Sequence, residues 1–399
     1  MSKSNSESLW TKRYILTILG MLFVFVPYSL YLPIMPLYVL EELGQSVEMA
    51  GLSNALFLLA SVLFRTQTAG LESRFGHRKV LLGSSFLFFL SHLLFLVAAQ
   101  PLWVLSVRFF GGACFAIANT AIMSMGSRFV PDSRKGEGIA YLTTVVTAGS
   151  AIGPFVGLQL EALFGFQAIF LFCGLSTLLG WALLLPIREQ TQGAFVQELT
   201  FSPKKLLEWQ AIPVCSVILL VSLAYAGVLT FAAVYAKEQG LAELTDWFFV
   251  VLAFCAVMVR VFTGRIMDLH GPNVVLYPAF ALLAAGMILL GAMPSMLGML
   301  GAAALIGAGY GVLVPTVQTI AVQKSRPERA SVVTATYFTF LDLGLAAGAY
   351  LLGTLVSSFG LGHMYWLLSF FVIGVWGVYV LVHGRHVLAS KVELNKELS

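Results

Sequence analysis

Apolar runs of about 20 residues recur along nearly the whole chain, each long enough to cross a bilayer core of roughly 30 Å. That repetition constrains the fold more than any motif does. In hydrocarbon every backbone N–H and C=O must be satisfied within the protein, so only helices and closed barrels span. A barrel would read as short segments of alternating polarity, which this chain lacks. The expected fold is therefore an all-α membrane protein. Composition agrees: 59% of residues are hydrophobic and 11% charged, against about 25% charged in an ordinary soluble domain. The formal charge of +4 then belongs to loops and gives no reason to expect nucleic-acid binding.

Twelve transmembrane helices are read at 14–38, 47–70, 80–99, 102–126, 137–160, 165–187, 211–236, 245–267, 274–293, 297–322, 331–357 and 363–384. The polar start, "MSKSNSESLWTKRY", leads into a full-length span, so no cleavable signal peptide is expected. The long polar connection 188–210 reads as a cytoplasmic linker between an N-terminal six-helix half, 1–187, and a C-terminal half, 211–399. Cys114, Cys173, Cys215 and Cys255 each stand alone in an apolar segment. With no CxxC or CxxH spacing they read as packing residues, and no metal site is expected.

Lysine and arginine set the orientation. Alternate loops hold Arg74, Arg78 and Lys79; Arg128, Arg134 and Lys135; Arg188, Lys204 and Lys205; and Lys324, Arg326 and Arg329. The other loops carry one such residue, Lys237, beside Glu41, Glu42, Glu48, Glu238 and Glu243. Both termini are basic too, and both are expected on the cytoplasmic side of the cell membrane.

Shifting the sequence by 195 residues places Arg65 on Arg260, Ser73 on Asp268, Gly76 on Gly271, Gly112 on Gly307, Arg134 on Arg329, Thr144 on Thr339, Gly149 on Gly344 and Gly153 on Gly348. One offset across five spans indicates duplicated halves.

At this point the chain resembles the major facilitator superfamily over essentially its whole length. The family's loop signature after span two appears as "GLESRFGHRK", matching at Arg74, Gly76, Arg78 and Lys79, with Ser73 where the family has aspartate. "GRIMDLHG" keeps Gly264, Asp268 and Gly271 but has Leu269 for the arginine. The resemblance implies a cytoplasmic latch, weakened here or rebuilt from Glu72 or Asp268. Span five reads "GSAIGPFVG", with Gly149, Gly153, Pro154 and Gly157. This is similar to the motif of drug/proton antiporters, which are exporters. Glycines four apart permit close helix approach, and Pro154 removes a backbone donor and permits a bend. Ordinary close packing is the plainer reading of the same glycines.

Ionisable groups inside a membrane cost several kcal/mol and are candidates for function. Four lie deep in spans: Arg65, Arg108, Arg260 and Asp342. Arg65 and Arg260 lie about one helical turn inside the cytoplasmic end. They read either as snorkelling anchors or as a gate, together with Arg74 and Asp268. Arg108 and Asn119 are eleven residues apart and share a helix face. In the antiporters that the chain resembles, the arginine at this place is tied to proton coupling or substrate contact. Asp342 is the one acid well inside a span, with Thr339 a turn before it. It reads either as the proton carrier or as a carboxylate permanently paired with an arginine such as Arg65. Span one holds no acid between Arg13 and Glu41.

Three buried cations against one anion favour anionic or zwitterionic substrates. "LFRTQTAG" and "DLGLAAGAYLLG" look similar to the staphylopine-type opine-metallophore exporters. The expected protein is a monomeric, non-enzymatic secondary transporter that exports a small molecule against protons. Its partners are the substrate, protons and the lipid bilayer, and it needs no cofactor beyond the proton gradient. A nutrient importer and a non-transporting sensor are the competing readings. "GAGYG" at 307–311 lies inside a span with no preceding strand and is not a dinucleotide loop.

Overall fold

The computed structural model describes residues 9–97, 100–131, 134–187, 208–293, 295–323 and 330–384. The linker read at 188–210 lies outside the described residues up to 207, as do the basic loop 324–329 and the tail from 385. The helices are α1 Lys12–Leu37, α2 Val47–Arg65, α3 Thr68–Phe75, α4 His77–Leu94, α5 Pro101–Arg128, α6 Lys135–Leu184, α7 Ile212–Glu238, α8 Thr245–His270, α9 Pro272–Ala292, α10 Met296–Gln323, α11 Ala330–Phe359 and α12 Leu361–Tyr379. Among the described residues, eleven helices are long and apolar enough to cross a membrane. One of them, within α6, runs 44 residues, about 66 Å and so about twice a bilayer core. It breaks at Gly165, where φ is +75°, and supplies two crossings. The chain is thus a multi-pass, all-α membrane protein.

The second span ends five residues earlier than the sequence indicated, at Arg65 instead of 70. Polar side chains cause this. The Thr66 hydroxyl and the Gln67 amide both donate to the Leu63 carbonyl, at 3.1 and 3.3 Å, and Thr68 donates to Phe64 at 3.5 Å. They satisfy the carbonyls a helix end leaves open and close α2. The chain restarts as the short α3.

The chain divides into two compact units. The first runs to Tyr38 and resumes at Leu56; the second takes Val39–Ala55 and the described residues from Glu208 on. In the first, α1 packs along α6, and the core gathers Phe25, Phe57, Phe88 and Phe115. In the second, the opening turns of α2 are held by Asn54, which donates to Thr230 Oγ1 at 3.4 Å, and by Gly51 against the Ala349 carbonyl. Leu163, Phe164, Leu175, Phe262 and Phe370 are exposed, as lipid-facing residues are.

The 195-residue offset holds at the level of contacts. A Cβ on Gly112 would strike the Phe57 carbonyl, and one on Gly307 the Leu252 carbonyl. Both pairs are 195 apart. Gly76 and Gly271 share φ of +86° and +87°, and Gly165 and Gly360 share +75° and +77°. Each stands where a backbone of positive φ and extended ψ turns one helix into the next, a conformation open essentially to glycine and costing other L-residues about 1–3 kcal/mol.

Candidate functional site

In the first unit α5 carries Arg108, which is 1% exposed. Its guanidinium carbon lies 4.4 Å from the Phe57 ring centroid and 5.6 Å from that of Tyr31. A planar, weakly hydrated guanidinium is the cation best suited to such faces. Behind it, Tyr31 of α1, His92 of α4 and Thr177 of α6 form a buried chain. The Tyr31 hydroxyl is 3.0 Å from His92 Nδ1, and His92 Nε2 is 2.9 Å from Thr177 Oγ1. A neutral imidazole offers one donor and one acceptor, so one hydroxyl accepts from the ring and the other donates to it. The sequence reading passed over His92, though a histidine within an apolar run was there to be seen. Asn119, three turns along α5, is half-buried, and its Oδ1 is buried with no hydrogen-bond partner among the described residues.

In the second unit α8 carries Arg260, half-buried, whose Nε donates to the Gly311 carbonyl of α10 at 2.9 Å. The cause is four residues further on. Pro315 has no N–H, so the Gly311 carbonyl loses its intrahelical donor, and Arg260 supplies one across helices. The same device recurs in the first unit: Pro27 strands the Phe23 carbonyl, and the Ser176 hydroxyl donates to it at 2.8 Å. The Tyr225 and Tyr310 rings stack at 3.5 Å and 10°. Asp342 on α11 is 6% exposed. Thr339 is half-buried, and its hydroxyl donates back to Ala335 at 2.9 Å.

The two arginines related by the repeat are not equivalent. Arg65 is the last residue of α2, whereas Arg260 sits inside a helix that continues to His270. The helix runs unbroken through Gly264. Arg74 is exposed on α3, its guanidinium 5.3 Å from the Phe75 ring. Glu72 Oε1 lies 2.9 Å from His77 Nδ1, which engages that carboxylate within its own loop. Asp268 is in α8, and its side chain is outside the described residues.

The glycines of span five face α1. A Cβ on Gly149 would press on Phe25, one on Gly153 on Ser29 and the Leu30 backbone, and one on Gly157 on Leu30 and Ile34. The Ser29 hydroxyl donates to the Gly149 carbonyl at 2.7 Å. The motif therefore sets a close α1–α6 crossing, with Pro154 inside it.

Such a fold, with duplicated helical turns and charged residues buried in its spans, defines a class: polytopic helical transporters. The chain belongs to the Major Facilitator Superfamily, whose family model matches residues 17–349. A curated relative, the multidrug resistance protein MdtG of Escherichia fergusonii, is 27% identical over 380 residues, covering 90% of this chain and 91% of its own. An uncharacterised MFS-type transporter of Methanocaldococcus jannaschii is 25% identical over 357 residues, covering 86% of this chain and 91% of its own. Among solved structures, a bacterial homologue of the human lysosomal transporter Spinster superposes with a TM-score of 0.74 at 16% identity, covering 98% of this chain and 99% of its own. The nucleoside transporter NupG gives 0.74 at 10%, covering 93% and 99%. These two establish the shared fold.

Proposed function

We propose that the protein is a proton-coupled exporter of an amphipathic anionic or zwitterionic organic compound, working by alternating access as a monomer in the cell membrane. One observation carries the reading: a guanidinium, Arg108, enclosed by aromatic faces inside a spanning helix. Burying that charge is costly and is retained where it does work. A substrate carboxylate is the group its fork would grip with two parallel hydrogen bonds. Export is supported by the likeness to the multidrug resistance proteins and by the glycine–proline motif of span five. The narrower substrate is a carboxylate-rich zwitterion of the opine-metallophore type, in keeping with three deep arginines against one aspartate.

Asp342 is the proton carrier in this reading, being the acid placed well inside a span. The test uses everted membrane vesicles with an imposed pH gradient. The wild type should move a fluorescent carboxylated probe uphill. Asp342→Asn should abolish uphill movement while leaving probe exchange at equal pH intact. An Asn variant that still drives uphill movement under the pH gradient alone removes Asp342 from the role. Uphill uptake into intact cells would reverse the direction to import.

A further inference from the structure

The second unit contains a cavity of about 150 Å³. Arg260, Thr263, Gly264 and Met267 of α8 line it together with Pro315, Thr316 and Thr319 of α10. We infer that this cavity is an apolar subsite, which takes a group the size of one benzene ring from the transported compound. The inference rests on the transporter reading above, whose amphipathic cargo needs an apolar seat, and it uses neither Arg108 nor Asp342.

Three polar groups of the lining are already engaged. Pro315 strands the Gly311 carbonyl, and Arg260 Nε reaches across to it at 2.9 Å, so the arginine ties α8 to α10. The Thr319 hydroxyl donates to the Pro315 carbonyl at 2.9 Å, and the Thr263 hydroxyl to the Arg260 carbonyl at 3.5 Å. Side chains that bond back to their own helix in this way are not held ready for a ligand. Most of the surface left in the wall is accordingly apolar. Gly264 supplies the room, since a Cβ there would meet nothing within 4 Å. An apolar cavity of about this volume accepts a benzene ring. Met267, unbranched and polarizable, can fit its shape to what it covers.

The repeat shows that this wall is not common to both units. Moving the lining back 195 residues puts Glu72 at the place of Met267 and Thr120 at that of Pro315. Glu72 Oε1 lies 2.9 Å from His77 Nδ1, so the first unit has a polar contact where the second has a thioether. Moreover, α2 ends at Arg65, ahead of the positions that match Thr263, Gly264 and Met267, whereas α8 continues through all three. At the positions compared, the unbroken apolar wall belongs to the second unit.

The experiment is calorimetric titration of the full chain in phosphatidylcholine nanodiscs, with empty nanodiscs as the blank, using phenylacetate and acetate as probes. Phenylacetate should bind saturably and about tenfold or more tightly than acetate, burial of the ring being the difference. Gly264→Leu fills the cavity and should weaken phenylacetate about tenfold or more, while Gly264→Ala, one methyl, should cost less. Both replacements favour the helix over glycine, so a loss is not one of folding. Met267→Glu sets a carboxylate in the wall, as in the first unit, and should also reject the ring. Uphill movement in everted vesicles separates this site from the export reading. If the variants lose phenylacetate and the wild type moves no probe uphill, the cavity stands and the export reading falls. If the wild type does move probe uphill but Gly264→Leu binds phenylacetate as tightly, the export reading stands and the cavity falls. No saturable binding of phenylacetate by the wild type, or affinity no better than that for acetate, overturns the subsite as well.

Discussion

At the scale of single residues, the buried chain behind Arg108 makes a definite demand. His92 is enclosed, and both ring nitrogens are committed, to Tyr31 and to Thr177. Leaving one buried nitrogen unpaired costs about 1–3 kcal/mol. Thr177→Val, nearly the same shape, should lower thermal stability in detergent by about that amount, and Thr177→Ser should restore most of it. Equal unfolding midpoints for wild type and the valine variant would mean that His92 Nε2 finds its partner elsewhere. Arg108 was legible in the sequence because an arginine within an apolar run has no cheap local explanation. The chain around it was not. His92 meets Tyr31 across 61 residues and Thr177 across 85, and no local pattern joins residues so far apart.

At the scale of helices, the duplicated arginines show where pattern matching stops. The offset pairs Arg65 with Arg260, yet it pairs Pro315 with Thr120, so the carbonyl that Pro315 strands has no counterpart in the first unit. Arg260 acquires a structural duty that its repeat partner does not inherit from the sequence. Arg260→Ala should leave the Gly311 carbonyl short of a donor, at about 1–3 kcal/mol. In a Pro315→Ala background residue 315 regains its N–H and serves that carbonyl within α10, so Arg260→Ala should then cost measurably less. A double-mutant cycle on thermal stability reads the difference, and strictly additive losses would dismiss the compensation. The glycine motif of span five, by contrast, was readable in kind: spacing announced a close crossing, and α1 supplies the partner. Which helix it would meet could not be read, because spacing describes one surface only. The end of α2 at Arg65 also escaped, since Thr66, Gln67 and Thr68 look like tolerable helix residues until their side chains turn back on the last carbonyls.

At the scale of the whole molecule, twelve crossings and the duplication follow from run length and a constant offset, both long-range regularities that single contacts do not disturb. Orientation is a different quantity, set by where lysine and arginine lie in the loops. The one cation in the acid-rich loops, Lys237, sits 2.9 and 3.0 Å from the two carboxylate oxygens of Glu41. It is thus matched by an acid of its own loop set, and Glu42, Glu48, Glu238 and Glu243 leave that set negative. In the other set of loops Arg74, Arg78 and Lys79 stand exposed in one short stretch. The expected arrangement puts the acid-rich loops outside and both termini in the cytoplasm. Single cysteines test it in a background where Cys114, Cys173, Cys215 and Cys255 are replaced by alanine. Ser46→Cys and Ala242→Cys, both at exposed positions, should react with a membrane-impermeant maleimide added to intact cells. Ser73→Cys and Lys79→Cys, also exposed in the structure, should stay unlabelled until the membrane is opened by detergent and then react fully. The reverse pattern would invert the topology; the direction of transport, set by antiport coupling to the proton gradient and not by insertion, is read by the vesicle assay instead.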